Sequence, residues 1–257
     1  SLSAPAGLWE LAVRGLGGDV DSAVAVEWFK RVKLAYGEEG RHYHVWAHVE
    51  EVWSQICGEG RDLEALALAT VFHDVIYSTK AAPGANEEAS AQMCLEFANA
   101  VAAGGKKDTR EQAVQWIRHT AAHMACDVSD DPDGSLFLDA DIGVLGKAPE
   151  EFIAYAHAIR MEYIHVPWQA YCSGRSKVLD SFLESEFLYR TDSFRARLET
   201  QARRNLAWEL ALLRSLLEQR SHERGIPSES AGAETTDPQQ DPILAALAHE
   251  TAAEHTE

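Results

Sequence analysis

The sequence contains no apolar run near the roughly 18 to 20 residues that a membrane-spanning helix needs. Its first residues also lack the basic flank and apolar core of a secretory signal, so no membrane association is expected and a cytoplasmic location is. Cysteine is sparse. Cys57, Cys94, Cys126 and Cys172 show no CxxC spacing, which argues against a zinc knuckle and fits reduced thiols better than a disulfide framework. Basic residues are few: 23 Lys and Arg stand against 41 Asp and Glu, for a formal net charge of −18. Phosphate backbones reward clustered cations, so no general affinity for nucleic acid is expected. A small anionic ligand held by a metal or a local basic pocket stays compatible with that charge. Runs of alternating β-branched residues are missing as well, which removes the usual signal for strands.

What is present reads as helix. The hydrophobic fraction of 46% over 257 residues can fill a substantial core, and apolar positions recur at helical spacing almost throughout. An all-α protein is therefore expected. The first helix spans about 19–36, with Val24, Trp28, Val32 and Ala35 on one stripe, and the next two run over about 45–57 and 62–77. Asn86 is expected to cap a helix over 87–103 that stops at Gly104-Gly105, and Asp108 with Glu111 reads as a capping box for 109–123. Pro149 suits the first turn of a helix over 149–164, followed by helices over 168–184 and 192–220. The domain is expected to cover residues 1–224. Residues 225–257 carry seven acids and no Lys or Arg, with too little apolar surface to offset ordering, so they read as a disordered acidic tail. Its terminal PILAALAHE is expected to form a short amphipathic helix that docks on the body or on a second copy, which makes a homo-oligomer one expectation.

The ionisable residues inside apolar segments carry the functional signal. In VFHDVIY (71–77), His73 and Asp74 sit where water is scarce and charge is costly. RHYHVWAH (41–48) puts His44 and His48 four residues apart on one helical side. FLDADIGVLG (137–146) supplies Asp139 and Asp141, about 200° apart around a helix, so both can hardly reach one ion. Three segments thus each bring His or Asp from a face expected to be buried. The economical explanation is a divalent metal held by neutral imidazole and anionic carboxylate.

The order His, His-Asp, distant Asp resembles the HD superfamily of metal-dependent phosphohydrolases. RHYHVWAH, FHDVIY, NEEASA, FLDADIGVLG and YCSGRSKVLDSFL are similar to a branch known only as predicted HD phosphohydrolases, over residues 8 to 215. The resemblance implies a single HD-domain helical bundle with His48, His73, Asp74 and Asp141 as metal ligands and Asp139 as a nearby second acid. It implies hydrolysis of a phosphoester or phosphoanhydride of a small phosphorylated metabolite, with a nucleotide expected first. Mn²⁺ is the first expectation for the ion, with Mg²⁺, Co²⁺, Ni²⁺, Fe²⁺ and Zn²⁺ open. Glu87 and His123 are the candidates for proton transfer beside Asp74, and Arg41, His44, Lys80, Arg160 and Arg175 are the candidate substrate contacts. Val45 stands where the branch tends to carry Asn. Two alternatives are an HD-type di-iron oxygenase using His119 and His123, and a non-catalytic module stabilised by its metal.

Overall fold

The computed structural model describes residues 5–102, 106–223 and 237–254. Among these residues the chain forms eleven α-helices and no strand, and no helix is long and apolar enough to cross a membrane. Its contacts divide it into two compact units, residues 1–142 and 143–257.

The first unit is built around a helix with no polar face. α4 (Leu63–Phe72) follows α1 (Pro5–Gly15), α2 (Ala23–Ala35) and α3 (Trp46–Ile56), and every residue from Ala65 to Phe72 is buried. A helix that is apolar all round must be covered on all sides. α1 and α3 do part of this, and α5 (Ala85–Val101), α6 (Lys107–His119) and α7 (Pro132–Asp141) do the rest. α1 is not among the expected helices, yet Leu8, Ala12, Val13 and Leu16 are nearly or fully buried. Its contact with α4 is close: a Cβ at Gly15 would fall 2.6 Å from the Cβ of Glu64.

α4 ends earlier than its apolar run suggests. His73 is the C-cap and Asp74 lies in the turn beyond it, so the His-Asp pair leaves the helix rather than continuing it. Two expected caps are also replaced. The N-cap of α5 is Gly84 at a positive φ of 77°, while Asn86 bonds both the N–H and the carbonyl of Ser78 and so braces the preceding loop. No side chain caps α6, where Lys106 holds the cap position and Asp108 sits in the first turn. The Gly104-Gly105 stop lies outside the described residues. α7 starts where "DDPDG" is read by two acids. Asp131 accepts from Gly134 N, Trp116 Nε1 and Gln112 Nε2, and Asp133 accepts from the backbone N–H groups of Arg61 and Asp62.

The second unit holds α8 (Pro149–Glu162), α9 (Trp168–Glu184), α10 (Asp192–Glu223) and α11 (Pro242–Glu254). The terminal helix expected in the acidic tail is present and packs on α8, burying Ile243, Leu244 and Leu247. The rest of that expected tail, 225–236 and 255–257, lies outside the described residues. Asp241 anchors the helix. One carboxylate oxygen takes Nε and Nη2 of Arg160 at 3.0 and 2.5 Å, and the other accepts from the N–H groups of Ile243 and Leu244. Arg160 is 0% exposed and Asp241 2%. Removing one partner of such a pair strands the other charge in a dry site. Asp241→Ala is accordingly expected to destabilise the second unit by about 3–5 kcal/mol, read from urea unfolding; a loss below about 1 kcal/mol would mean the pair is dispensable.

Candidate metal centre

Three helix ends bring the candidate ligands together within the first unit. His48 lies in the first turn of α3, His73 and Asp74 at the exit of α4, and Asp141 closes α7. The C-terminal ends of α4 and α7 carry the negative pole of each helix, which favours a cation there. One donor atom from each of His48, His73, Asp74 and Asp141 lies within 4.8 Å of the others, and this group could hold a metal ion.

The separations within the group test that fit. At metal–ligand distances of about 2.1 Å, two ligands of one ion lie about 3.0 Å apart at a right angle and about 3.4 Å apart at a tetrahedral one. His73 Nε2 is 3.0 Å from Asp74 Oδ2 and 3.3 Å from Asp141 Oδ1. His48 Nε2 is 3.1 Å from Asp141 Oδ1 and 3.6 Å from Asp74 Oδ2, and the two Nε2 atoms are 3.2 Å apart. These are the spacings of ligands around a common centre. The tautomer agrees at His73: its Nδ1 donates to the Thr70 carbonyl at 2.9 Å, which leaves the Nε2 lone pair facing the cluster.

Electrostatics within the group demand positive charge. Burial disfavours the imidazolium of His73, yet the carboxylates of Asp74 and Asp141 outweigh it and hold its pKa well above the ordinary value. Burial also works against ionising the two acids. The His73 imidazolium outweighs it at both, with help from His44 at Asp74 and from His123 and His48 at Asp141, and both carboxyls sit below the ordinary range. A divalent ion would supply positive charge in place of that proton, two units against one.

Of the two acids expected in α7, Asp141 joins the cluster, whereas Asp139 is fully buried and lies outside it. His123 reaches it too, with Nε2 2.9 Å from Asp141 Oδ2, while His119 is outside the four-ligand group. His44 stacks on Tyr77 with ring centroids 4.0 Å apart, and Tyr43 lies against the His48 ring at 4.7 Å. Glu87 is half-buried in the first turn of α5 and is not among the four grouped ligands. Lys80 is exposed in the loop before α5.

Each of the three arginines expected to meet substrate has partners within the chain. Arg41 is 8% exposed and donates to the carbonyls of His44, Asp74 and Val75. Arg160 gives its donors to Asp241 and to the carbonyls of Tyr163 and Val166. Arg175 makes a bidentate pair with Glu209 at 2.8 and 2.9 Å and donates to the Tyr155 hydroxyl. A guanidinium enclosed this way meets the buried-charge requirement of its own surroundings. The Thr70 carbonyl that orients His73 has no signature in residue type, because every residue carries that group.

No protein-family model matches the chain, and neither a curated protein nor a solved structure matches it.

A cation and the His73 proton compete for one Nε2 lone pair. Affinity for Mn²⁺ or Zn²⁺ is expected to rise with pH until His73 titrates, with proton release seen by calorimetry in buffers of different ionisation enthalpy. The metal-free stability is expected to show the opposite trend on the basic side. His73 is raised from 6.5, so its contribution is full below the unfolded value and is lost as pH climbs through the folded one. Asp74 and Asp141 are lowered from 3.8, so theirs is present above that value and is lost as pH falls through the folded ones. An affinity that ignores pH would place the ion elsewhere.

Proposed function

We propose that this chain is a metal-dependent phosphohydrolase of the HD type, acting on a small phosphorylated metabolite, with a nucleotide as the first class to test. The observation that carries the reading is the meeting of His48, His73, Asp74 and Asp141 in one group. Those are the ligands that the resemblance assigns, in the same chain order, although they come from segments up to 93 residues apart. His48, His73, Asp74 and Asp141 would hold one divalent ion, Mn²⁺ first. Mixed nitrogen and oxygen donors suit it, and suit Fe²⁺, Co²⁺, Ni²⁺ and Zn²⁺ as well.

When bound, the ion supplies Lewis acidity toward a phosphoryl oxygen and toward water. The chain's own groups supply the rest. His123, 2.9 Å from Asp141 Oδ2, would hold or pass a proton at the edge of the cluster. Glu87 is the second candidate for that proton, and Lys80 is an exposed cation able to swing toward phosphate charge. The half-buried rings of Tyr43 and Tyr77 beside the histidines give a base or sugar an apolar wall.

A di-iron oxygenase of the same superfamily is the second reading, and the contact of His123 with Asp141 is its one specific support. Two irons per chain after reconstitution would favour it. The decisive experiment measures phosphate release from a panel of nucleotides and sugar phosphates with each divalent ion. Turnover is expected to need added metal, stop with chelator and fall at least about a thousandfold in Asp74→Ala, a loss of several kcal/mol of transition-state stabilisation. Release from no compound with any ion, by protein of intact helicity, would sink the hydrolase reading.

A further inference from the structure

Arg41 ties together the backbones of two ligand-bearing segments that are far apart in sequence. Nη1 donates to the Asp74 carbonyl at 2.7 Å and to the His44 carbonyl at 3.3 Å, and Nη2 donates to the Val75 carbonyl at 2.9 Å. The Asp74 and Val75 carbonyls follow the exit of α4, where helix-end acceptors have no intrahelical donor. The outer side of the guanidinium is held in turn. Nε and Nη2 meet Glu38, and the rings of Tyr36 and Tyr77 lie 5.5 and 5.7 Å from the guanidinium carbon.

This arrangement matters because Asp74 sits beyond the C-cap of α4, where the helix no longer dictates its backbone. Its carboxylate must still meet His48, which approaches from a different helix, and their 3.6 Å separation is the longest ion-pair distance in the cluster. The Arg41 fork joins the carbonyl of Asp74 itself to that of His44, one turn before His48. We propose that Arg41 is a positioning residue for the metal centre, which sets the separation between the Asp74 carboxylate and the His48 imidazole by fixing the backbones that carry them. The proposal rests on the reading of this cluster as a metal site. A lysine cannot replace the fork: its single ammonium is a point donor and cannot span these carbonyls from the same position.

Co²⁺ is the probe, because its visible ligand-field bands report the ligand set directly, without turnover. Full-length Arg41→Lys is expected to bind Co²⁺ about 10- to 100-fold more weakly than the unaltered protein, with shifted bands and retained helical circular dichroism. Arg41→Ala is expected to regain affinity and bands when guanidinium ion is added below denaturing concentration. Asp133→Asn loosens the turn at Arg61 and Asp62 in the same unit and serves as the control for general destabilisation, with unchanged Co²⁺ binding expected. Parent-like affinity and spectrum in Arg41→Lys would overturn the positioning role alone. So would a loss of binding that tracks a loss of helicity, since Arg41 would then act on the fold. An unaltered protein that binds no Co²⁺ would overturn the metal reading and this proposal with it.

Discussion

Two carboxylates and two imidazole nitrogens crowded within 4.8 Å of one another, in a site largely removed from water, need positive charge among them. That constraint organises the first unit. The His73 proton can meet it, which is why its pKa is raised while those of Asp74 and Asp141 are lowered. A divalent cation can meet it as well, and the spacing of the donors around a common centre suits that alternative. The cluster is therefore unlike an ordinary ion pair: removing the positive charge leaves acceptors facing acceptors.

The scaffold makes this concentration of charge tolerable by placing it at the end of an apolar helix. α4 is buried from Ala65 to Phe72, so its exit point is fixed by packing from α1, α3, α5, α6 and α7. His73 inherits that rigidity. Asp74 does not, because the helix has already ended, and the turn is held instead by a guanidinium that bonds successive carbonyls. The second unit is also tied together by buried ion pairs. Arg160 with Asp241 pins the terminal helix to α8, and Arg175 with Glu209 links α9 to α10.

Much of the helical pattern was legible in the sequence, because periodicity of 3.6 is a local property. The spans of α3, α8, α9 and α10 agree closely with the stripes of apolar residues that announce them, whereas α2 begins at Ala23 rather than 19 and exposes Val24 of its expected stripe, burying Ala25 instead. Cap chemistry was less legible. Asn86 and Asp108 are good cap formers by type, yet Asn86 is drawn to Ser78 and Asp108 lies one residue inside the helix. Which partner such a side chain selects depends on what the fold brings near it.

For the candidate site, the sequence alone determined that His48, His73, Asp74 and an acid of α7 are ionisable groups set in apolar helical surroundings, a combination that burial makes costly unless something pairs them. Tertiary structure decided the rest. It selected Asp141 over Asp139, brought His123 to the cluster, and turned Arg41, Arg160 and Arg175 toward carbonyls and carboxylates of the chain itself. Residue type and spacing specify which groups an element presents. Which of those groups meet depends on how helices separated by tens of residues pack, and that is a property of the whole core.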